Sequence, residues 1–350
     1  MTVSSAGDGQ CDSIDVHAHI VPTAVLDLVR AGEFPDVTVE EADDGRPFLA
    51  AGRDRLGPFQ PSMTDLERRL GWLTERGIGQ QWVSPWLDLF TWHRFPPGQA
   101  RRWTSTVNRA LLDLVELGRG HLRAVPAAHL VNGEEAAADL AAFIGDASAV
   151  VVNTSSGHGP RLGDPVLTPF WESLVDAGMP AILHPPADGP SRAFLAPILQ
   201  NVCGRLIDTS AAVLDLVVSG VLERHPDLRL VAVHGGGLLP YQTFRLDGLA
   251  RAGLLGKTSL SMLPSHALRH LYYDTVALDA LSIEFLARRV GADHVLLGSD
   301  APFPIGDPDP IGTIATARLT DAEKLNIRSR NAASLRQPRS GGHRDSEPVH

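Results

Sequence analysis

Two histidines near the beginning of the chain have a spacing that could bind a metal ion. His17 and His19 lie two residues apart in an apolar run at 13–19. Side chains alternate along a β-strand, so residues i and i+2 point to the same face. If this run is a strand, both imidazoles can therefore chelate one ion. Packing as an ordinary core histidine is the alternative for either residue taken alone.

Three further polar residues each stand at the end of another apolar run. His184 precedes two prolines, His234 precedes three glycines, and Asp300 ends the sequence LLGSD. Imidazoles combined with one carboxylate suit a borderline divalent cation, with Zn²⁺ favoured and Mn²⁺ or Fe²⁺ as alternatives. The residue types therefore predict a metal site, provided that the fold brings the ends of these runs together.

The runs that carry these residues belong to a regular alternation of predicted strands and helices. Strands are predicted at 13–19, 80–84, 122–127, 149–153, 181–184, 229–234, 271–274 and 294–300. Amphipathic helices are predicted between them, most clearly at 64–76, 165–177, 238–252 and 282–290. Alternation of this kind predicts a parallel sheet. Eight such units predict a closed (β/α)₈ barrel of the TIM type, in which polar residues at the C-terminal strand ends form the active site.

The rest of the chain fits one barrel domain with an insert. Residues 13–334 are predicted to form the domain, and a Gly-, Pro- and Asp-rich segment at about 32–61 is predicted to be a β-hairpin after the first strand. Polar compositions predict disordered tails at 1–12 and 335–350. Long loops after barrel strands commonly serve the active-site face, so the insert could contribute to substrate binding.

Composition excludes several classes of protein. The chain has 31 Lys and Arg against 41 Asp and Glu, a net charge of −10, so it lacks the basic surface of a nucleic-acid-binding protein. No apolar stretch reaches the roughly 20 residues of a membrane-spanning helix. The first residues lack the pattern of a secretory signal, and two cysteines cannot build a disulfide framework or a cysteine zinc site. We therefore expect a cytoplasmic enzyme with a small-molecule substrate.

Five short motifs resemble those of a known family. They are IDVHAH at 14–19, LHP at 183–185, HGGG at 234–237, GSD at 298–300 with PFP at 302–304, and NA at 331–332. Together they resemble the amidohydrolase superfamily, and within it the branch of metal-dependent decarboxylases similar to aminocarboxymuconate semialdehyde decarboxylase. The resemblance extends over almost all of the chain between the predicted tails.

The resemblance implies a role for each polar residue. His17, His19, His184 and Asp300 would be the metal ligands. His234 would be the catalytic acid and base, and Asp300 would also take part in catalysis by accepting a proton. Many superfamily members hold two metals bridged by a carbamylated lysine at the end of the fourth strand, but the run at 149–153 contains no lysine. One metal ion per chain is therefore expected, and no organic cofactor is implied.

Arginines and aromatic residues are the candidates for substrate binding. The guanidinium group matches a carboxylate, and the resemblance implies that Arg245 reaches the active site of a neighbouring subunit, which predicts a homodimer. Arg46, Arg53 or Arg55 of the insert could supply further contacts, with a solvated surface arginine as the alternative. Two aromatic residues could wall the pocket or serve only in packing: Trp86 and Phe303.

The resemblance favours one activity and leaves others open. The favoured activity is non-oxidative decarboxylation of a small unsaturated or aromatic carboxylate, such as a carboxymuconate semialdehyde or a hydroxybenzoate. A hydrolase or hydratase acting on a lactone or a ring-cleavage product is the alternative, since one barrel supports many reactions. A barrel kept only for binding, with a structural metal or none, is a third hypothesis.

Overall fold

The computed structural model describes residues 13–52, 54–90, 98–155, 159–186, 189–255 and 260–335. The strands of these residues are β1 Ile14–Ile20, β2 Val37–Glu41, β3 Pro47–Ala51, β4 Asp54–Leu56, β5 Gln80–Pro85, β6 Leu122–Ala124, β7 Val150–Asn153, β8 Ala181–His184, β9 Leu230–Ala232, β10 Tyr272–Asp274 and β11 Val295–Leu296. The α-helices are α1 Thr23–Arg30, α2 Pro61–Thr64, α3 Leu66–Arg76, α4 Gln99–Glu116, α5 Gly133–Ala141, α6 Thr168–Asp176, α7 Pro197–Leu199, α8 Arg205–Val218, α9 Val221–Arg224, α10 Leu239–Arg251, α11 Pro264–Arg269, α12 Ala280–Val290, α13 Pro310–Thr316, α14 Asp321–Leu325 and α15 Asn331–Ser334.

Eight parallel strands close into a barrel in chain order. Strands β1, β5 and β6 form one hydrogen-bonded group, and β7 to β11 form a second. Backbone bonds close both gaps, because Val151 N donates to Pro126 O (2.8 Å) and Val16 N donates to Leu297 O (2.9 Å). The predicted (β/α)₈ barrel is therefore confirmed, and each of its eight strands overlaps a run that the sequence predicts, with β1 and β5 extending one residue beyond it.

The last strand is much shorter than the run that predicts it. Regular pairing ends at Leu296, although the apolar run continues to Asp300. Leu297 N donates to Ile327 O, outside the sheet (2.9 Å), and Asp300 N donates to His17 O (2.8 Å). The segment after β11 therefore crosses over the end of β1, which places Asp300 beside the first-strand histidines.

The first barrel strand contains an irregularity that matters for the site. Its register on β5 shifts between Asp15 and Ala18, a bulge-like interruption. Bulges change the direction of side chains and often lie beside active sites. His17 and His19 both reach the site, whereas Asp15 contacts Gln81 of the neighbouring strand and Ser299.

The insert after β1 is more extensive than a hairpin. Strands β2, β3 and β4 form a three-stranded antiparallel sheet, where the sequence predicted two strands. Strand β3 is the central strand of this sheet. Its residues Leu49 to Ala51 pair with β2 on one edge and with β4, the additional strand, on the other. Leu49 and Phe59 are buried in the same apolar cluster as residues of α1 and α4, which holds the insert against the barrel.

Helix boundaries depart from the predictions by a few residues. The helix predicted at 64–76 begins at Leu66, because the Asp65 side chain accepts a hydrogen bond from Arg68 N (3.0 Å) and caps the first turn. Gly77 ends the helix with φ 66°.

Two further expectations concern the ends of the chain and the membrane. The predicted tails at 1–12 and 336–350 lie outside the described residues, whereas Leu335, the first residue of the predicted C-terminal tail, is fully buried. Its carbonyl accepts a hydrogen bond from Arg229. Within the described ranges, no helix has both the length and the apolar character needed to span a bilayer.

Candidate metal centre and active-site cavity

The predicted polar residues meet at the C-terminal end of the barrel. The Nε2 atoms of His17 and His19 are 3.2 Å apart, and they lie 3.4 Å and 3.2 Å from Asp300 Oδ1. The His184 ring centroid lies 4.8 Å from that of His19. His234 Nε2 lies 3.8 Å from Asp300 Oδ2. Residues from opposite ends of the chain thus form one cluster.

This cluster has the donors that a divalent cation needs. One ligand atom from each of His17, His184, His234 and Asp300 lies within 4.8 Å of all the others, and His19 adjoins this group through its contacts with His17 and Asp300. His184 Nε2 is buried and has no hydrogen-bond partner among the described residues. A buried acceptor without a donor calls for an explanation, and a cation held by imidazole and carboxylate provides one.

Hydrogen bonds at the far side of each ring orient the Nε2 atoms inward. His17 Nδ1 lies 2.6 Å from Asp274 Oδ2, His19 Nδ1 lies 3.0 Å from Ser84 Oγ, and His184 Nδ1 lies 2.9 Å from the Pro185 carbonyl. A proton on Nδ1 that bonds outward leaves Nε2 as the free acceptor. The three rings therefore present the same nitrogen to the centre.

Asp274 is a functional residue that the sequence reasoning did not identify. Its second oxygen, Oδ1, accepts hydrogen bonds from Gly235 N (2.8 Å) and Val276 N (3.2 Å). It thus joins the His17 ring to the loop that follows His234. The available signal was its position as the last residue of the seventh predicted strand, equivalent to the positions of the other polar residues.

Asp15 is the second residue that was missed. Its carboxylate accepts hydrogen bonds from His17 N (3.1 Å), Ser299 N (3.0 Å), Ser299 Oγ (2.5 Å) and Gln81 Nε2 (2.7 Å). Burial raises its pKa although these donors oppose the shift. Asp15 therefore fixes β1, with its two histidines, to the segment that carries Asp300.

Burial and mutual charge shift the pKa values of the cluster in different directions. Burial lowers the pKa of His19 to about 4, against the opposing effect of Asp300. Burial, with the charges of His19 and His17, also holds the pKa of His184 well below its usual range. Burial opposes ionisation of Asp300, but the neighbouring histidines overcome it and hold its pKa well below the ordinary value. The pKa of His17 moves the other way, because burial lowers it less than Asp300 and Asp274 together raise it. The directions for His19, His184 and Asp300 favour neutral imidazoles beside an ionised carboxylate, the forms that bind a cation.

Two residues of the site that border the cavity have strained backbones. His234 has φ 55° and Asp300 has φ 57°, both in the left-handed region that non-glycine residues rarely occupy. Such residues cost about 1–3 kcal/mol each and persist where the surroundings impose them. The strain lies at the site itself.

A cavity of about 1040 Å³ opens above the cluster. His184, His234 and Asp300 line its polar end, and most of the remaining lining is apolar. Trp86 and Phe303 both contribute to the wall, as the sequence suggested, and the Phe303 ring centroid lies 5.2 Å from that of His19.

The predicted arginines that the structure describes do not line the cavity. Arg46 is paired with Asp44 of the insert (2.6 Å) and does not line the cavity. Arg245 is exposed on α10 and does not line it either. Arg55 is paired with Glu40, and Arg53 lies outside the described residues. Within the described part of the chain, the arginine that does line the cavity is Arg205, which sequence reasoning did not identify.

Comparison with known proteins fits this geometry. A family model described as amidohydrolase matches residues 14–335. The chain belongs to the amidohydrolase family. The resemblance that the five motifs carry is thereby confirmed.

Curated relatives of this chain include several decarboxylases and a hydratase. A 2-amino-3-carboxymuconate-6-semialdehyde decarboxylase from Dictyostelium discoideum is 28% identical over 181 residues, which cover 51% of this chain and 50% of the relative. A 2-keto-4-carboxy-3-hexenedioate hydratase from a Sphingobium species is 24% identical over 299 residues, covering 79% and 83%. The chain spans about half the length of the curated decarboxylases that it matches.

Solved structures of other amidohydrolase-type proteins share the fold. A 5-carboxyvanillate decarboxylase from Novosphingobium aromaticivorans, with bound manganese and a nitrobenzoic acid, superimposes with a TM-score of 0.74 at 16% identity, covering 96% of this chain and 99% of that one. At this identity the likeness concerns the fold alone.

Proposed function

We propose that this protein is a metal-dependent, non-oxidative decarboxylase of a small aromatic or unsaturated carboxylate. The observation that carries the proposal is a centre of histidines and one aspartate at the polar end of a largely apolar cavity. An apolar wall suits an aromatic ring or a conjugated chain, and the polar end suits its acidic group. Family relatives named as decarboxylases support the same reaction.

His17, His19, His184 and Asp300 are the proposed metal ligands, with one ion per chain. Zn²⁺ suits this donor set, and Mn²⁺ is the alternative because a structural neighbour binds manganese. When bound, the ion would polarise a substrate oxygen and offset negative charge that develops in the reaction.

His234 is the proposed proton carrier. It lines the cavity, whereas His17 and His19 do not, and its Nδ1 has no hydrogen-bond partner among the described residues. It also lies further from Asp300 than His17 and His19 do, at 3.8 Å. A ring that faces the substrate and is less tightly bound to the ligands can move a proton.

The reaction needs one proton and no redox partner. The bond between the substrate carbon and its carboxylate breaks, its electron pair stays on that carbon, and CO₂ leaves. His234 delivers a proton to the same carbon, and Asp300 offers the counter-charge for the imidazolium before transfer. A conjugated substrate can delocalise the electron pair until the proton arrives.

Assembly and location complete the proposal. We expect a homodimer in the cytoplasm, with Arg245 of one chain serving the cavity of its partner. The exposed position of Arg245 on α10, beside the exposed Tyr241 and Phe244, supports a subunit contact there.

Release of CO₂ tests the activity. Metal-loaded protein is incubated with a panel of hydroxybenzoates and carboxylated ring-cleavage products, and CO₂ and product mass are followed. We expect loss of the mass of CO₂ from at least one substrate, and none with chelated protein. A panel that yields no CO₂ with fully loaded enzyme would contradict the proposal.

Hydration is the second candidate. The relative whose alignment with this chain covers 83% of the relative's length is named as a hydratase. The same centre could direct water onto an activated double bond, or onto a lactone in a hydrolase. Product mass separates the reactions, since hydration adds water to the substrate and releases no CO₂.

A further inference from the structure

We propose that Arg205 binds an acidic group that the substrate retains, so that the preferred substrates carry two acidic groups. This inference rests on the proposed function, since it concerns the same cavity. Among the described residues that line the cavity, Arg205 is the one lysine or arginine. The other charged residues of the lining are Asp88 and Asp300, apart from the two histidines of the centre. Arg205 is therefore the fixed positive charge that an anionic ligand would meet there.

Local hydrogen bonds hold the Arg205 side chain in place. Arg205 is the first residue of α8, and its Nε donates to Asn201 Oδ1 one turn earlier (3.1 Å). Its Nη1 donates to the Pro185 carbonyl (2.8 Å). That carbonyl is also the partner of His184 Nδ1 (2.9 Å). The guanidinium group and one ring of the metal centre thus share an acceptor, which fixes the position of one relative to the other.

Arg205 forms no salt bridge with a described residue. No described carboxylate lies within 4.0 Å of its guanidinium nitrogens, whereas Arg46, Arg101 and Arg161 each have such a partner. Its Nη2 forms no hydrogen bond with a described residue, and the side chain is half-buried. A planar guanidinium with free donors, facing a cavity, matches a carboxylate in geometry and in charge.

A retained acidic group fits this position better than the departing carboxylate. Arginine that bound the departing group would stabilise the charged ground state more than the transition state, in which that charge moves onto the substrate carbon, and would slow the reaction. A retained group keeps its charge throughout the reaction, so Arg205 would bind it equally strongly in the ground state and in the transition state. The cavity volume of about 1040 Å³ leaves room for a second substituent beyond the reacting one.

Ligand binding tests the inference without requiring turnover. Isophthalate has two carboxylates and benzoate has one, and both are titrated into metal-loaded enzyme by calorimetry. We expect isophthalate to bind the unaltered protein at least about tenfold more tightly. Arg205→Gln should weaken isophthalate binding by about 10- to 100-fold and change benzoate binding by less than about twofold, because a charge-assisted bidentate contact is lost.

Two further variants separate charge from structure. Arg205→Lys keeps the positive charge but loses the planar guanidinium that can donate two hydrogen bonds to one carboxylate. It should therefore retain part of the preference for isophthalate. Arg30→Gln removes an exposed arginine that pairs with Asp27 and lies outside the cavity lining, and it should bind both ligands like the unaltered protein. Metal content and thermal unfolding identify any variant that is misfolded. If Arg205→Gln is misfolded, Arg205→Lys takes its place in the test. The unaltered protein gives a further test, because its preference for isophthalate over benzoate should decrease as the salt concentration increases.

The outcomes distinguish this inference from the proposed function. Equal affinity for the two ligands in the unaltered protein, or an equal loss of both in Arg205→Gln, overturns the role of Arg205 even if CO₂ release is observed. A selective loss of isophthalate binding supports that role even if no substrate is decarboxylated. With an active substrate in hand, Arg205→Gln should raise KM for a diacid and leave kcat nearly unchanged.

Discussion

At the residue scale, chemistry depends on which nitrogen of each histidine faces the centre. Asp274, Ser84 and the Pro185 carbonyl occupy the Nδ1 side of His17, His19 and His184, respectively. His234 has no such partner among the described residues and borders the cavity instead. This difference separates the three histidines proposed as ligands from the ring proposed to carry the proton.

His234→Asn tests that separation. Asparagine cannot carry the proton, so catalysis should fall by roughly 10² to 10⁴, the usual contribution of a positioned acid or base. Metal content should stay at the unaltered level, because the other four residues remain. Rate measurements on a confirmed substrate are paired with elemental analysis of the same sample. Loss of the metal would instead make His234 a ligand.

One divalent ion per chain is the expected stoichiometry. β7 ends at Asn153 and carries no lysine that could bridge a second ion. Elemental analysis of purified protein should give one equivalent, and His184→Ala should abolish tight binding while circular dichroism shows an unchanged fold. Two tightly held ions per chain would disprove the mononuclear centre.

Asp274→Asn tests the orientation of His17. The amide lacks the charge that favours a proton on Nδ1, so metal affinity should fall by about 10- to 100-fold, as is typical when the partner of a metal-bound histidine is changed. Competition with a chelator of known affinity measures the change. Asp293→Asn, at a residue with 74% side-chain exposure, is the control and should behave like the unaltered protein. An unchanged affinity in Asp274→Asn would remove the orienting role.

At the element scale, the ends of the barrel strands and the turns after them determine the site. The glycines after His234 have φ values of 61°, 77° and 63°, and each has a different surrounding. Gly235 and Gly237 line the cavity, whereas a Cβ on Gly236 would lie 2.5 Å from the Tyr273 ring. The turn can therefore pack this closely against Tyr273 of β10 only because residue 236 has no side chain.

Gly236→Ala should destabilise the protein. The left-handed backbone and the contact with the buried Tyr273 ring together should cost about 2–5 kcal/mol of the free energy of unfolding. Gly248→Ala is the matched control, because Gly248 lies inside α10 and a Cβ added there would meet no neighbouring atom within 4 Å. That change should raise stability by about 0.5–1 kcal/mol. Denaturant unfolding compares the two, and equal stabilities would contradict the steric argument.

At the scale of the whole molecule, the exposed apolar residues are unevenly distributed. Many of them are on or beside the helices that surround the cavity mouth, namely Ile198, Val202, Tyr241, Phe244, Leu278, Leu281 and Phe285. A patch of this kind on a protein surface is typical of an interaction site. Since the exposed Arg245 directly follows Phe244 on α10, the patch supports the proposed contact between two copies of the chain.

Phe244→Glu tests that contact. Phe244 is 55% exposed on α10 and lies next to Arg245, so a buried glutamate should disfavour the dimer. Sedimentation should give a dimer for the unaltered protein and a monomer with reduced activity for the variant. Leu117→Glu, at a residue 67% exposed at the end of α4, should remain a dimer. A fully active monomer of the unaltered protein would disprove the role of Arg245 across subunits.

The barrel and the polar cluster can both be predicted from the pattern of residues along the chain. Alternating apolar runs and helical patterns suffice for a parallel barrel, because each strand must be buried on both faces and each helix on one. Once eight such units close, residues at the strand ends must converge. His17, His19, His184, His234 and Asp300 could therefore be identified from their positions in the runs alone.

The residues that surround the cluster are known from the three-dimensional arrangement alone. Asp15 and Asp274 each also contact residues far away along the chain. Gly235 lies 39 residues from Asp274, Ser299 lies 284 residues from Asp15, and no local pattern encodes such contacts. The third strand of the insert depends on pairing between β3 and β4 that the sequence pattern did not reveal. Arg205 could not be identified from the sequence for the same reason. It lines the cavity because α8 begins beside the end of β8, and nothing in the local sequence distinguishes it from the other arginines. Side-chain chemistry is local, but the distance between two side chains is a property of the whole fold.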